Sequence, residues 1–174
     1  SDTVADADIC IGNPPFVRNQ DLPQGWRRRA AAVVKKRTGV QISGLANAWQ
    51  YFAFHALAST KSDGLIALVI PYEWVSRPSA EALRDYIRSR GWDVSVYRLR
   101  DETFQRVLTT SSITIIDKAG RSGKWRFFIE SDGSPYEPLD SESGGKFGLV
   151  HYSTRGEVST QKIQVKRGLS PGTQ

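Results

Sequence analysis

Between residues 8 and 116 short apolar runs alternate with stretches of helical period, and this alternation restricts the fold more than any other feature of the chain. Residues 8–12 read as a short strand whose continuous apolar character suits the centre of a parallel sheet. Over residues 24–38 the period becomes helical: Trp26, Ala30, Val33 and Val34 fall on one face, most of Arg27, Arg28, Arg29, Lys35 and Lys36 on the other, and Gly39 is placed to stop the helix. Residues 45–59 predict a second helix, with Leu45, Trp49, Phe52, Ala53, Ala56 and Leu57 at helical spacing. An apolar strand over 64–71 ends in Pro71, and a helix over 79–90 begins near Pro78, turns Leu83, Tyr86 and Ile87 inward and ends at Gly91. Strands follow over 94–99 and 111–116, the latter closed by Lys118, Ala119 and Gly120. Strands alternating with helices predict a mostly parallel, layered α/β sheet. Past Gly120 the character changes: 125–130 reads as one more strand, 131–148 as loop, and 151–165 as one or two short strands. The division expected is an α/β unit over 1–120 and a smaller β-rich extension over 121–174.

Composition narrows the class. The chain has 174 residues, enough to bury a sizeable core, and no apolar run approaching the roughly 18 residues of a membrane span. Nothing at its start resembles a signal peptide, so a soluble, cytoplasmic protein without a membrane partner is expected. The single Cys10 excludes an internal disulfide, and His55 and His151 are too far apart in sequence for metal-site spacing, so no metal is expected. A net charge of +6 and a pI near 9.6 favour an anionic partner, for which nucleic acid is the commonest candidate. The absence of methionine and a last stretch, 166–174, that reads as a turn suggest a piece of a longer protein.

The first strand stops abruptly in Gly12-Asn13-Pro14-Pro15-Phe16. In open parallel sheets ligands sit beyond the carboxyl ends of strands. Two prolines fix φ and remove two N–H donors, leaving carbonyl acceptors on a stiff turn beside an aromatic ring. Such a turn suits a planar amine: the Asn13 side-chain oxygen and the Pro14 carbonyl each accept one hydrogen of an NH2 group, Pro15 stiffens the turn and Phe16 stacks on the heterocycle. The same residues also read as a plain strand-ending turn with Phe16 in the core. The basic helix that follows likewise has two readings, with Arg27, Arg28, Arg29, Lys35 and Lys36 lying along DNA phosphates or forming a solvated face.

An aspartate, an apolar strand, glycine and then NPPF resemble motif IV of the amino-methyltransferases, especially the N6-adenine DNA methyltransferases of large single-chain restriction-modification enzymes. The resemblance continues through Gly64 to Pro71 with Tyr72-Glu73-Trp74, and through the helix containing Leu83-Arg84-Asp85-Tyr86-Ile87. Glu102-Thr103-Phe104-Gln105-Arg106-Val107, leading into Ser111-Ser112-Ile113-Thr114-Ile115-Ile116, is similar to motif VIII. Arg167-Gly168-Leu169-Ser170-Pro171-Gly172 is similar to the link into a target-recognition domain. What this implies is the carboxyl-terminal half of a Rossmann-like S-adenosylmethionine-dependent methyltransferase sheet, part of a bacterial or archaeal restriction-modification or phage-defence enzyme acting near the nucleoid. Asn13 and Pro14 would be catalytic, and Pro15, Phe16 and Phe104 would contact a flipped adenine in double-stranded DNA.

That family's glycine-rich cofactor loop and the acidic residue after it precede motif IV, and here only seven residues precede the strand. The cofactor pocket is therefore expected to be incomplete, the isolated chain inactive, and the partners to include the rest of a parent chain: its cofactor-binding half and its recognition domain. With its neighbouring strand missing, residues 8–12 are expected to present an open apolar edge, covered by self-association or by residues 121–165. Two other readings stand beside this one, N5-methylation of a protein glutamine and a non-catalytic nucleic-acid-binding module.

Overall fold

The computed structural model describes residues 6–99, 110–129 and 137–138. In chain order its elements are β1 (Ala7–Gly12), α1 (Gln24–Thr38), α2 (Ala48–Ser59), β2 (Thr60–Pro71), α3 (Glu81–Ser89), β3 (Asp93–Arg98), β4 (Ser111–Asp117), β5 (Trp125–Ile129) and the two-residue β6 (Glu137–Pro138). Single 3-10 turns occupy Asn19–Asp21, Tyr72–Val75 and Pro78–Ala80. All six strands join one sheet in the order β1-β2-β4-β3-β5-β6.

The pairing departs from a mostly parallel sheet. β1 with β2 and β3 with β5 are parallel, whereas β4 runs antiparallel to both its neighbours, β2 and β3, and β6 antiparallel to β5. β4 follows β3 in sequence and lies directly beside it, the two pairing antiparallel from Asp93 opposite Asp117 to Arg98 opposite Ser112. The first strand also departs from expectation: it stands at the edge of the sheet rather than its centre, with Ile9 58% and Ile11 79% exposed. Among the described residues β1 pairs with β2 alone, so the expected open apolar edge is present. β5 lies on the opposite side of the sheet, so residues 125–129 do not cover that edge.

Local chemistry explains the elements. α1 ends where Gly39 takes φ 77°, a left-handed conformation that costs glycine little, and the Gly39 N–H closes the last turn on the Lys35 carbonyl at 2.9 Å. Lys35, Lys36 and Arg37 in that last turn complement the helix dipole. α2 begins at Ala48, three residues later than its apolar spacing suggests, and Leu45 is left 74% exposed. Trp49, Phe54 and Leu57 bury their side chains almost completely, each worth about 1.5–3 kcal/mol of transfer energy. α2 passes into β2 without a loop: Thr60 donates its hydroxyl to the Ala56 carbonyl at 2.8 Å, and the buried ammonium of Lys118 donates to the Leu57 and Thr60 carbonyls. Desolvation pushes the Lys118 pKa down.

One face of the sheet carries the core. Ile66, Leu68 and Ile70 of β2 alternate inward with Val94, Val96, Ile116 and Phe127 of the neighbouring strands, against Trp49, Leu57, Leu83 and Ile87 of the helices. Trp74, fully buried, donates its indole N–H to the Thr114 hydroxyl at 3.0 Å and lies 5.5 Å from the Trp125 ring. β1 approaches β2 so closely that a Cβ on Gly64 would fall 2.7 Å from the Asp8 carbonyl oxygen, which is why a glycine opens the apolar part of β2. An exposed pair, Lys61 Nζ to Asp8 Oδ1 at 2.6 Å, joins the two strands nearby.

Candidate functional site

Parallel pairing brings the carboxyl ends of β1 and β2 to the same end of the sheet. Gly12 stands opposite Leu68, so the Asn13 turn begins beside the last stretch of β2, whose chain continues through Val69, Ile70 and Pro71 into Tyr72. β3 finishes and β4 starts at this end as well, with Arg98 opposite Ser112 and Pro71 opposite Ser111.

The turn divides between surface and core. Asn13 and Pro15 are exposed, Pro14 is buried, and Phe16 is half-buried and packed against the hydrophobic core. Asn13 is thus open to solvent on a turn whose next residue is anchored in the core. The ring beside it has one side committed to packing.

Side chains at this end of the sheet were not legible as a group in the sequence. The Arg98 guanidinium lies 5.3 Å from the centre of the Tyr72 ring, a cation–π contact between residues 26 apart in the chain. Burial pushes the Tyr72 phenol up, and the nearby Arg98 charge opposes that shift. The Tyr72 N–H donates to the Thr110 carbonyl at 2.8 Å. Arg84, buried on α3, donates one guanidinium nitrogen to the carbonyls of Trp74 at 2.7 Å and Arg77 at 2.9 Å, fixing the short turns after β2. Aliphatic spacing on α3 gave no sign of that role, because only the partners' positions reveal it.

The basic helix separates into two kinds of cation. Arg28, Arg29, Lys35 and Lys36 are exposed, and none of the ion pairs among the described residues involves α1. Arg27 is half-buried and donates to the Asn19 side-chain oxygen at 3.0 Å. Arg37 turns back onto α2, donating to Ser59 Oγ at 2.8 Å and the Ala58 carbonyl at 2.9 Å. Its Nη1 also lies 3.3 Å from Nδ1 of the exposed His55. Phe104 and residues 130–136 and 139–174 lie outside the described residues.

Comparison with known proteins fits this geometry. Residues 5–101 match the profile of the Eco57I restriction-modification methylases. The chain belongs to that family. A curated relative, the Type II methyltransferase M.XamI of Xanthomonas campestris pv. amaranthicola, is 26% identical over 124 residues, which cover 69% of this chain and 23% of the relative. The chain thus spans under a quarter of the length of that relative. Among solved structures, the methyltransferase subunit of a type I restriction-modification system from Streptococcus thermophilus superposes with a TM-score of 0.56 at 16% identity, over 88% of this chain and 33% of that one. The type IIG restriction endonuclease BpuSI gives 0.56 at 15% identity, over 89% and 22%. A class I S-adenosylmethionine-dependent methyltransferase from Listeria monocytogenes gives 0.52 at 18%, over 68% and 34%. The mixed sheet is therefore that of the Rossmann-like methyltransferases.

The described glycines with positive φ are Gly39, Gly91 and Gly123, which stand at the end of α1 and just before β3 and β5. Among the described residues no glycine-rich strand-to-helix turn lies at the carboxyl ends of β1 and β2, and the turn that leaves β1 there is the Asn-Pro-Pro one.

Proposed function

We propose that the parent of this chain is an S-adenosylmethionine-dependent DNA methyltransferase acting on the N6 amine of an adenine turned out of the duplex, and that this chain supplies the side of the site that holds the amine. The observation that carries this reading is the turn at the end of β1, where Asn13 is exposed and the next residue, Pro14, is buried. An exocyclic amine is a poor nucleophile because its lone pair is delocalised into the ring. Asn13 Oδ1 and the Pro14 carbonyl, each accepting one amine hydrogen, favour a more tetrahedral nitrogen and aim its lone pair away from the turn. The bound cofactor would supply the electrophilic methyl group. No covalent intermediate with this chain is required, and its residues act by orientation and fixed dipoles.

An amine inside a duplex cannot reach such a turn, so the base has to leave the stack, at a cost of a few kcal/mol. Stacking on Phe16, and on Phe104 as the family resemblance implies, offsets part of that cost. Residues 1–120 then form the partial catalytic domain, and 121–174 lead toward a recognition domain supplied by the parent.

Incubating the full-length parent with S-adenosylmethionine and duplex DNA, then digesting the DNA to nucleosides for mass spectrometry, tests the reading. N6-methyladenine is the expected product. Methyl groups found only on a protein glutamine would favour the rival amide-methylation chemistry, and methylcytosine alone would remove adenine from the proposal.

The exposed cations of α1 extend the reading to the DNA backbone. Neutralising Arg28, Arg29 and Lys36 to glutamine is expected to weaken binding to all duplex sequences alike. The slope of log K against log salt should fall by about 0.9 for each phosphate no longer neutralised, or about 2.7 for three. An unchanged slope in the parent enzyme would make this surface merely solvated.

A further inference from the structure

The loop that leaves the Asn13 turn is tied down by one side chain. Asn19, three residues after Phe16, donates both amide hydrogens, to the Gly44 carbonyl at 2.8 Å and the Ala46 carbonyl at 3.0 Å. Its Oδ1 accepts from Arg27 Nη1 at 3.0 Å, and its backbone N–H donates to Asn47 Oδ1 at 2.9 Å. A side-chain amide has two donors and two acceptor sites, so three of its four bonding positions are filled.

Two further observations show that α2 is built around this contact. Asn47 occupies the residue before α2, where an asparagine ordinarily caps its own helix, yet it makes no cap bond and gives its oxygen to Asn19 instead. The first N–H of α2, from Ala48, is taken by the Val17 carbonyl at 2.9 Å, so the loop caps the helix in place of Asn47. α2 runs straight into β2, and β2 pairs with β1. The Asn13–Phe16 turn is therefore held at both ends by one rigid frame: on one side by the β1–β2 ladder, on the other by Asn19 on the start of α2.

We infer that Asn19 is a positioning residue for the amine-holding turn, and that Arg27 belongs to this clamp rather than to a DNA-binding surface. The inference rests on the methyl-transfer reading above. The half-buried Arg27, whose Nε is shut off from solvent, agrees with it, whereas Arg28 and Arg29 are exposed. Nothing in the apolar spacing of α1 separates Arg27 from Arg28 and Arg29; its burial and its hydrogen bond to Asn19 do.

Steady-state kinetics of the full-length parent test the assignment. Asn19→Ala is expected to lower kcat by about 10–100-fold, the scale of a reacting group displaced by about 1 Å, with KM for DNA within about threefold. Arg27→Met should lower kcat in the same direction while leaving the salt slope of DNA binding unchanged, and Arg27→Lys, which keeps a donor for Asn19, should restore most of the loss. Should Asn19→Ala not fold, Asn47→Ala removes only the acceptor of the Asn19 N–H and carries the same expectation. Normal turnover in Asn19→Ala or Asn47→Ala, or a salt slope reduced by about 0.9 with unchanged kcat in Arg27→Met, overturns the clamp. A parent that methylates no base even unsubstituted overturns instead the reading beneath it.

Discussion

In the full-length parent, Asn13→Ala is expected to lower kcat for methyl transfer by about 10²–10³-fold, equivalent to about 2.7–4 kcal/mol of lost transition-state stabilisation, the scale of removing one preorganised polar partner. DNA affinity should change little, because Asn13 presents a single neutral amide at the end of β1 while the exposed cations of α1 lie elsewhere on the chain. Asn13→Asp retains an oxygen acceptor at the same place and should keep more activity than Asn13→Ala. Single-turnover rates together with equilibrium DNA binding separate the two effects. Turnover of Asn13→Ala near that of the unsubstituted enzyme would remove Asn13 from the chemistry and leave the turn as a plain strand terminator.

The second large effect concerns stability. Trp74→Ala is expected to destabilise the fold by about 3–5 kcal/mol, the range for deleting a large aromatic side chain from a core. Trp74 is fully buried, its ring borders Trp125, and its N–H partners the buried Thr114 hydroxyl, so alanine leaves a cavity and reduces Thr114 to its 3.3 Å contact with Ser112 Oγ. Trp74→Phe fills most of the cavity and should cost about 1–3 kcal/mol, chiefly because Thr114 then lacks its indole partner. Urea unfolding followed by far-ultraviolet circular dichroism measures both. A loss below about 1 kcal/mol in Trp74→Ala would mean that the site-end turn of residues 72–75 is held by other interactions, with the bonds from Arg84 foremost among them.

How much of this was legible in the sequence depended on whether the signal was periodic. α1 is predicted over 24–38 and observed over Gln24–Thr38, because its apolar stripe is regular and Gly39 supplies an unambiguous stop. β2 begins at Thr60 rather than residue 64: its first four residues are polar and add nothing to the apolar run, and of them only Thr60 pairs with β1, opposite Ala7, before the register shifts to Leu65 opposite Ile9. The antiparallel course of β4 was not legible, since a run such as Ser111 to Ile116 reads alike in either direction and residues 99–110 are long enough to permit either course. The residues of the Asn13 turn stood out because NPPF combines rare local constraints. The Asn19 clamp and the Arg98–Tyr72 pair did not, because each joins residues distant in sequence through side chains that leave no period. The nearest available signal was an asparagine before α2, which suggests a cap that the structure uses differently.

The position of β4 between β2 and β3 also sets an order on the making of the protein. As the chain emerges from its amino terminus, β2 has its parallel partner β1 at once, but the edge of β2 that will receive β4 and the whole of β3 wait for residues 111–117. Until then neither strand can touch the other, since the place between them belongs to a segment not yet synthesised. Closure of the sheet is thus a late, non-local event, with Leu65 meeting Asp117 across more than fifty residues, and pairings of that separation slow folding. During that interval the unfilled edge of β2 and the waiting β3 are exposed to other nascent chains, which is the window in which aggregation competes with folding.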